Sequence, residues 1–216
     1  MNLFDYVDIY CERVAPGFWA EPLNLLSNLF FVGAAAVIFA RSAQTIHPLK
    51  TRIYAASVLA VGFASASFHA MATTGTLVAD VVSIALCAIY FLYVYTGSIL
   101  RYTPWQQAGF VMILVVLSWV GVFIDPNGMM NGSSAYLGIL AVLYLLAALD
   151  PDRQGKRHML IGALIFTVAI VFRSFDMAVC PYHSHGIHYI WHMANGYLLF
   201  HLSRRFMVAP FPLSRR

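Results

Sequence analysis

The apolar residues of this chain fall in long blocks, not in strand-like alternation, and short polar stretches part the blocks. A run of about 20 apolar residues crosses a bilayer as a helix. On that basis seven helical segments are predicted, at roughly 22–41, 53–72, 78–99, 105–124, 134–149, 158–177 and 186–203. Turn-forming stretches separate several of them: "DPNGMMNGSS" at 125–134, "DPDRQGKRH" at 150–158 and "CPYHSHG" at 180–186. The predicted fold is an all-α integral membrane bundle of seven transmembrane helices. It forms one domain over 1–216, with a short extracytoplasmic segment at 1–21 and a cytosolic tail at 204–216.

The charges then orient the bundle. Arg41, Lys50 and Arg52 follow the first segment, Arg101 the third, Arg153, Lys156 and Arg157 the fifth, and Arg204, Arg205, Arg215 and Arg216 the seventh. All four connections lie on one side if every segment spans. The other side holds Arg13, outnumbered by Asp5, Asp8, Glu12 and Glu21, and Arg173 near the end of the sixth segment. The positive-inside rule gives an outside N-terminus and a cytosolic C-terminus. The first 21 residues carry acids where a signal peptide has bases, so no secretory leader is expected. They are expected to form an amphipathic element against the membrane.

Composition agrees: of 216 residues 61% are hydrophobic and 10% charged, against about 25% charged in soluble domains. The net charge of +4 is spread in small topology-like groups, so a bilayer and no nucleic-acid partner is expected. The compact loops suit a bacterial inner membrane.

Ionisable groups inside membrane segments are functional candidates. Ser65 and His69 stand at i, i+4 on one helix face, and His188 and His192 do the same in "HYIWH", with Asn195 continuing the face. Asp80 opens the third segment. The topology brings His69, Asp80, His188 and His192 to a similar depth near the outer face. Three imidazoles with one open position are the pattern of catalytic zinc, with Asp80 as acid/base and Ser65 as partner of a water or oxyanion. The plainer alternative is packing or a proton relay.

Other polar residues receive plainer readings. Arg173 and Asp176, at i, i+3, are expected to form an ion pair. Asn24, Ser27 and Asn28 are read as helix–helix glue. His47, His158 and His201 are read as cytosolic surface residues, and His183 and His185 as loop residues at the mouth. Cys87 is expected to be reduced and packed. Cys11 and Cys180 share the outer side, where disulfides persist, and a bridge between them is expected.

Three stretches carry a resemblance to the alkaline ceramidase family, within the superfamily that also holds the progestin and adipoQ receptors. They are "YCERVAPGFWAEPLNLLSNLFF" (10–31), "SASFHAMATTGTLVAD" (65–80) and "HYIWH" (188–192). The resemblance implies a seven-helix amidase that hydrolyses ceramide-like N-acyl sphingoid lipids drawn from the membrane. It implies Zn2+ on His69, His188 and His192, with Asp80 and Ser65 catalytic. For the eukaryotic type it also implies Ca2+ near the N-terminus, for which Asp8, Glu12 and Glu21 are the candidates. The family's aspartate before the cysteine is Ile9 here, and its asparagine after the glutamate is Val14. Two alternatives stay open: a hydrolase of another acyl amide or ester, and a receptor or sensor whose zinc is structural.

Overall fold

The computed structural model describes residues 2–126 and 128–207. The tail residues Arg215 and Arg216, counted above for orientation, lie outside the described residues. The described chain is helical, with no strand beyond an isolated bridge between Tyr6 and Thr73. Its helices are α1 (Pro22–Ser27), α2 (Leu29–Arg41), α3 (Pro48–Met71), α4 (Thr74–Ser98), α5 (Pro104–Ile124), α6 (Leu137–Leu149), α7 (Arg153–Val179) and α8 (His188–Met207). α1 and α2 run on as one apolar stretch, which gives seven main helical elements among the described residues, near the positions predicted from hydropathy. Five of these segments are long and apolar enough to cross a membrane; Ser133–Leu149 is a shorter apolar helix.

The ends form where local chemistry satisfies the unpaired backbone groups of a helix. Thr73 and Thr103 begin α4 and α5 with capping boxes that enlist Thr76 and Gln106. Asp152 accepts from the amides of Gln154 and Gly155 to begin α7. Prolines occupy the first turns of α1, α3 and α5, where a missing N–H costs nothing.

Each helix packs on the next in chain order from α2 to α8, and α8 returns to pack on α2, so the seven long elements close a ring. Gly196 makes the closure possible: a Cβ there would stand 2.9 Å from the backbone carbon of Phe30. Such close approach through small residues is how helices associate in lipid. Apolar side chains also cover the outside, as on α5 with Met112, Trp119 and Phe123. The ring surrounds an apolar cavity of about 80 Å³, lined among others by Phe31, Phe91, Leu146, Trp191 and Leu198, with Asn195 as a polar exception.

The N-terminal segment departs from the expected surface element. It runs extended across the α3–α4 turn: Val7 donates to Ala72 O (2.8 Å), Thr74 to Asp5 O (2.9 Å) and Gly75 to Leu3 O (2.8 Å). It then dives inward, burying Tyr10, Cys11, Glu12 and Arg13. The reason is polar, not amphipathic: these residues find partners that lipid cannot offer. Cys11 and Cys180 form a disulfide, with Cα atoms 5.5 Å apart, and Cys87 is a free buried thiol.

At the opposite end, His158 and His201 are not loose surface residues. Their rings stack at 3.9 Å and His201 Nε2 donates to His158 O at 3.0 Å. Stacking buries one face of each ring where α7 and α8 meet. His47 is exposed, as expected.

Candidate metal centre

His69 ends α3, and His188 and His192 occupy the first turns of α8. All three are buried, and one ring nitrogen from each lies within 4.8 Å of the other two. Among the described residues this is the group of histidines, cysteines and carboxylates able to hold a metal ion.

The hydrogen bonds favour one set of proton positions. Glu21 accepts from Arg13 Nε at 2.5 Å, so it is an anion and can only accept; His69 Nδ1 therefore donates to its Oε2, at 2.6 Å. A neutral imidazole has one N–H, so His69 Nε2 is bare. Ser27 Oγ spends its proton on Asn24 O (2.9 Å), and so accepts from His192 Nδ1 at 2.7 Å. His192 Nε2 is bare too. These two bare nitrogens stand 3.2 Å apart. Facing lone pairs repel at that distance, whereas two nitrogens about 2.0–2.1 Å from one tetrahedral zinc are about 3.3 Å apart. His188 adds a buried Nδ1 with no hydrogen-bond partner. The donor set fits a zinc-type ion.

Glu21 and Ser27 were not expected in these roles, since Glu21 is a calcium candidate in the resemblance and Ser27 was read as glue. A histidine ligand nearly always gives its second N–H to a carboxylate or other acceptor, and these are those acceptors. Burial pushes the Glu21 pKa up, but hydrogen bonds from His69, Asn24 and Arg13 outweigh it and hold the carboxyl below its ordinary value.

The rest of the calcium set does not fit. Both oxygens of Glu12 accept backbone amides, from Leu23 at 2.7 Å and Asn24 at 2.8 Å, which caps α1. Asp8 is exposed. Calcium needs six to eight oxygen ligands, and the buried carboxylate oxygens here are already engaged.

Asp80 and Ser65 flank the histidines. Ser65 Oγ lies 3.4 Å from His192 Nε2. Asp80 is buried, one of its oxygens has no hydrogen-bond partner, and it interacts with His69, Arg173 and Ser65. His183 and His185 are exposed in the loop and stand outside the cluster.

Arg173 and Asp176 are not an ion pair. Asp176 accepts the amides of Cys11 (2.9 Å), Ile187 (2.7 Å) and His188 (2.9 Å). Unpaired N–H groups at the start of α8 compete better for a buried carboxylate than a side chain one turn away. Gly186 permits this contact, since it adopts φ +59° and a Cβ would stand 2.2 Å from the Asp176 carboxylate. Arg173 turns the other way, donating to Tyr10 Oη (3.0 Å) and Ser133 Oγ (3.1 Å) and facing the rings of Tyr10, Tyr136 and Trp191. Tyr10 in turn stacks on His188 at 3.7 Å.

Fold and site together define a membrane-type helical bundle with a buried three-histidine cluster beside a buried carboxylate that has one unpartnered oxygen. The sequence model of the ceramidase family matches residues 9–203, and the chain belongs to that family. A comparison with curated proteins gives no match.

Proposed function

We propose that this chain is a zinc-dependent intramembrane amidase that hydrolyses ceramide-like N-acyl sphingoid lipids to a fatty acid and a sphingoid base. The observation that carries the reading is the pair of ring nitrogens of His69 and His192 that face each other 3.2 Å apart, in a member of the ceramidase family. His69, His188 and His192 would hold the ion. Bound there, zinc supplies Lewis acidity, which polarises an amide carbonyl and makes water more acidic.

The residues do the remainder. The Ser65 hydroxyl, beside the cluster, donates to the carbonyl oxygen as negative charge develops on it. Asp80 takes the proton of the attacking water and delivers it to the leaving amide nitrogen. A C–O bond forms, the C–N bond breaks, and the amine leaves neutral before taking up a further proton from solvent. The buried carboxylate oxygen of Asp80, which lacks a hydrogen-bond partner, favours catalysis over a purely structural metal.

The lipid chains would enter the apolar cavity between the helices, where they exchange lipid contacts for apolar side chains. Trp191 and Asn195, in its wall, follow His188 and His192 by three residues each, so the cavity begins about one turn from the cluster. All seven long elements act as membrane spans in this reading, with the histidines towards the outer face. Purified protein incubated with a panel of N-acyl lipids, with and without a zinc chelator, tests the reading by mass spectrometry of released fatty acid. Chelator-sensitive release from ceramides is the expected result; release that zinc removal leaves unchanged overturns it.

A further inference from the structure

We propose that Arg13 is a positioning residue for the metal centre, and that its guanidinium does without calcium what a second metal ion would otherwise do. The proposal rests on the reading of His69 as a metal ligand. Arg13 Nε donates to Glu21 Oε1 at 2.5 Å, and Arg13 Nη2 donates to the backbone carbonyl of His69 at 2.6 Å. Glu21 Oε2 accepts from His69 Nδ1 at 2.6 Å. The bonds close a loop from guanidinium to carboxylate to imidazole and back through the backbone of the same histidine. One cation thus fixes both the ring and the main chain of His69. A lysine has a single charged nitrogen and lacks the fork that makes both contacts.

The same contacts leave no place for calcium. The side chains of Arg13 and Glu21 are 1% and 2% exposed, so the carboxylate needs a buried positive partner, and it has one. A divalent ion on Glu21 would stand against the guanidinium. Glu12, a carboxylate that interacts with Glu21, is engaged by two amides, and Gly17 O takes a further Arg13 donor at 3.4 Å.

The test uses the full-length protein in detergent, stripped of metal. Zinc affinity is measured by competition with a chromophoric chelator in calcium-free buffer and in millimolar calcium, and calcium binding by radiolabel retention. Wild type is expected to take one zinc with the same affinity in both buffers and to retain no calcium. Stoichiometric calcium binding, or zinc binding that calcium tightens, overturns the proposal without any variant. Arg13→Gln is expected to weaken zinc by about 10- to 100-fold, the usual effect of losing a partner behind a ligand, with Arg13→Lys intermediate. Unchanged zinc affinity in either variant overturns the positioning role. If Arg13→Gln fails to fold, Arg13→Lys and the calcium measurement still decide. A wild type that binds no zinc overturns the metal reading itself, and this proposal with it.

Discussion

Replacing Ser27 by alanine removes one oxygen from a buried site and leaves the helix intact, yet it should weaken zinc binding substantially. In the intact protein Ser27 Oγ accepts from His192 Nδ1 at 2.7 Å because its own proton is committed to Asn24 O. Without that oxygen the Nδ1–H is left with the backbone carbonyl of Asn24 as its remaining acceptor in the 1% exposed environment of His192. The metal-free protein escapes the penalty: the imidazole moves its proton to Nε2, which faces the bare His69 Nε2 at 3.2 Å. The metal-bound protein cannot escape, because Nε2 must be bare to bind. Part of the cost of an unpaired buried N–H, about 1–3 kcal/mol in full, therefore appears as lost affinity. At 1.4 kcal/mol per decade the full cost is about 5- to 150-fold, which sets the upper bound of the loss. Chelator competition on purified protein measures it, with Ser27→Thr, which keeps the hydroxyl, as the control. A Ser27→Ala protein that binds zinc as tightly as wild type would refute the tautomer argument.

Three further outcomes are expected. Asp80→Asn keeps the size and loses the proton acceptor, so zinc should remain bound while fatty-acid release falls by about 100-fold or more; an unimpaired variant shows that the carboxylate only packs. Non-reduced peptide mapping should find Cys11 joined to Cys180 and Cys87 free, and Cys11→Ser should cost about 2–4 kcal/mol of stability, read as a lower unfolding temperature; alkylation of all three cysteines without reduction contradicts this. Leu146→Trp, at a fully buried position in the cavity wall, should fill part of the chain site, so that turnover of long-chain substrates falls more than that of short-chain ones while zinc content is unchanged. Equal loss for both chain lengths places the acyl chain elsewhere.

The helices were legible because lipid demands internally bonded backbone and an apolar exterior, and both leave periodic, local marks in sequence. The histidine cluster was legible for a related reason: i, i+4 spacing fixes two ligands on α8, and counting helix directions sets the depth of the third. The partners behind the ligands were not legible. Glu21 meets His69 across 48 residues and Ser27 meets His192 across 165, and no spacing rule reaches that far. One usable signal existed, since a histidine ligand needs an acceptor behind it, and Glu21 and Ser27 are acceptors near the start of the first long segment. Spacing misled in the opposite direction at Arg173 and Asp176. There the local pair was possible, but the unpaired amides of α8 formed the stronger set of bonds.

The N-terminal segment explains how ligands on two different helices share one site. α3 and α8 touch each other only slightly, and α2 packs between them. Residues 3–13 supply the missing tie. They bond to the α3–α4 turn through Val7 and to α7 through the Cys11 amide on Asp176. They reach the loop before α8 through the disulfide, cover His188 with Tyr10, and hold His69 through Arg13. Metal binding and docking of this segment thus favour the same arrangement of α3 and α8. Two events that stabilise one state must reinforce each other by an equal free energy in both directions. Reduction of the Cys11–Cys180 bond should then weaken zinc binding by the same factor by which zinc resists the detachment of the segment, and a segment that leaves without loosening the metal would show that α2 alone sets the geometry of the site.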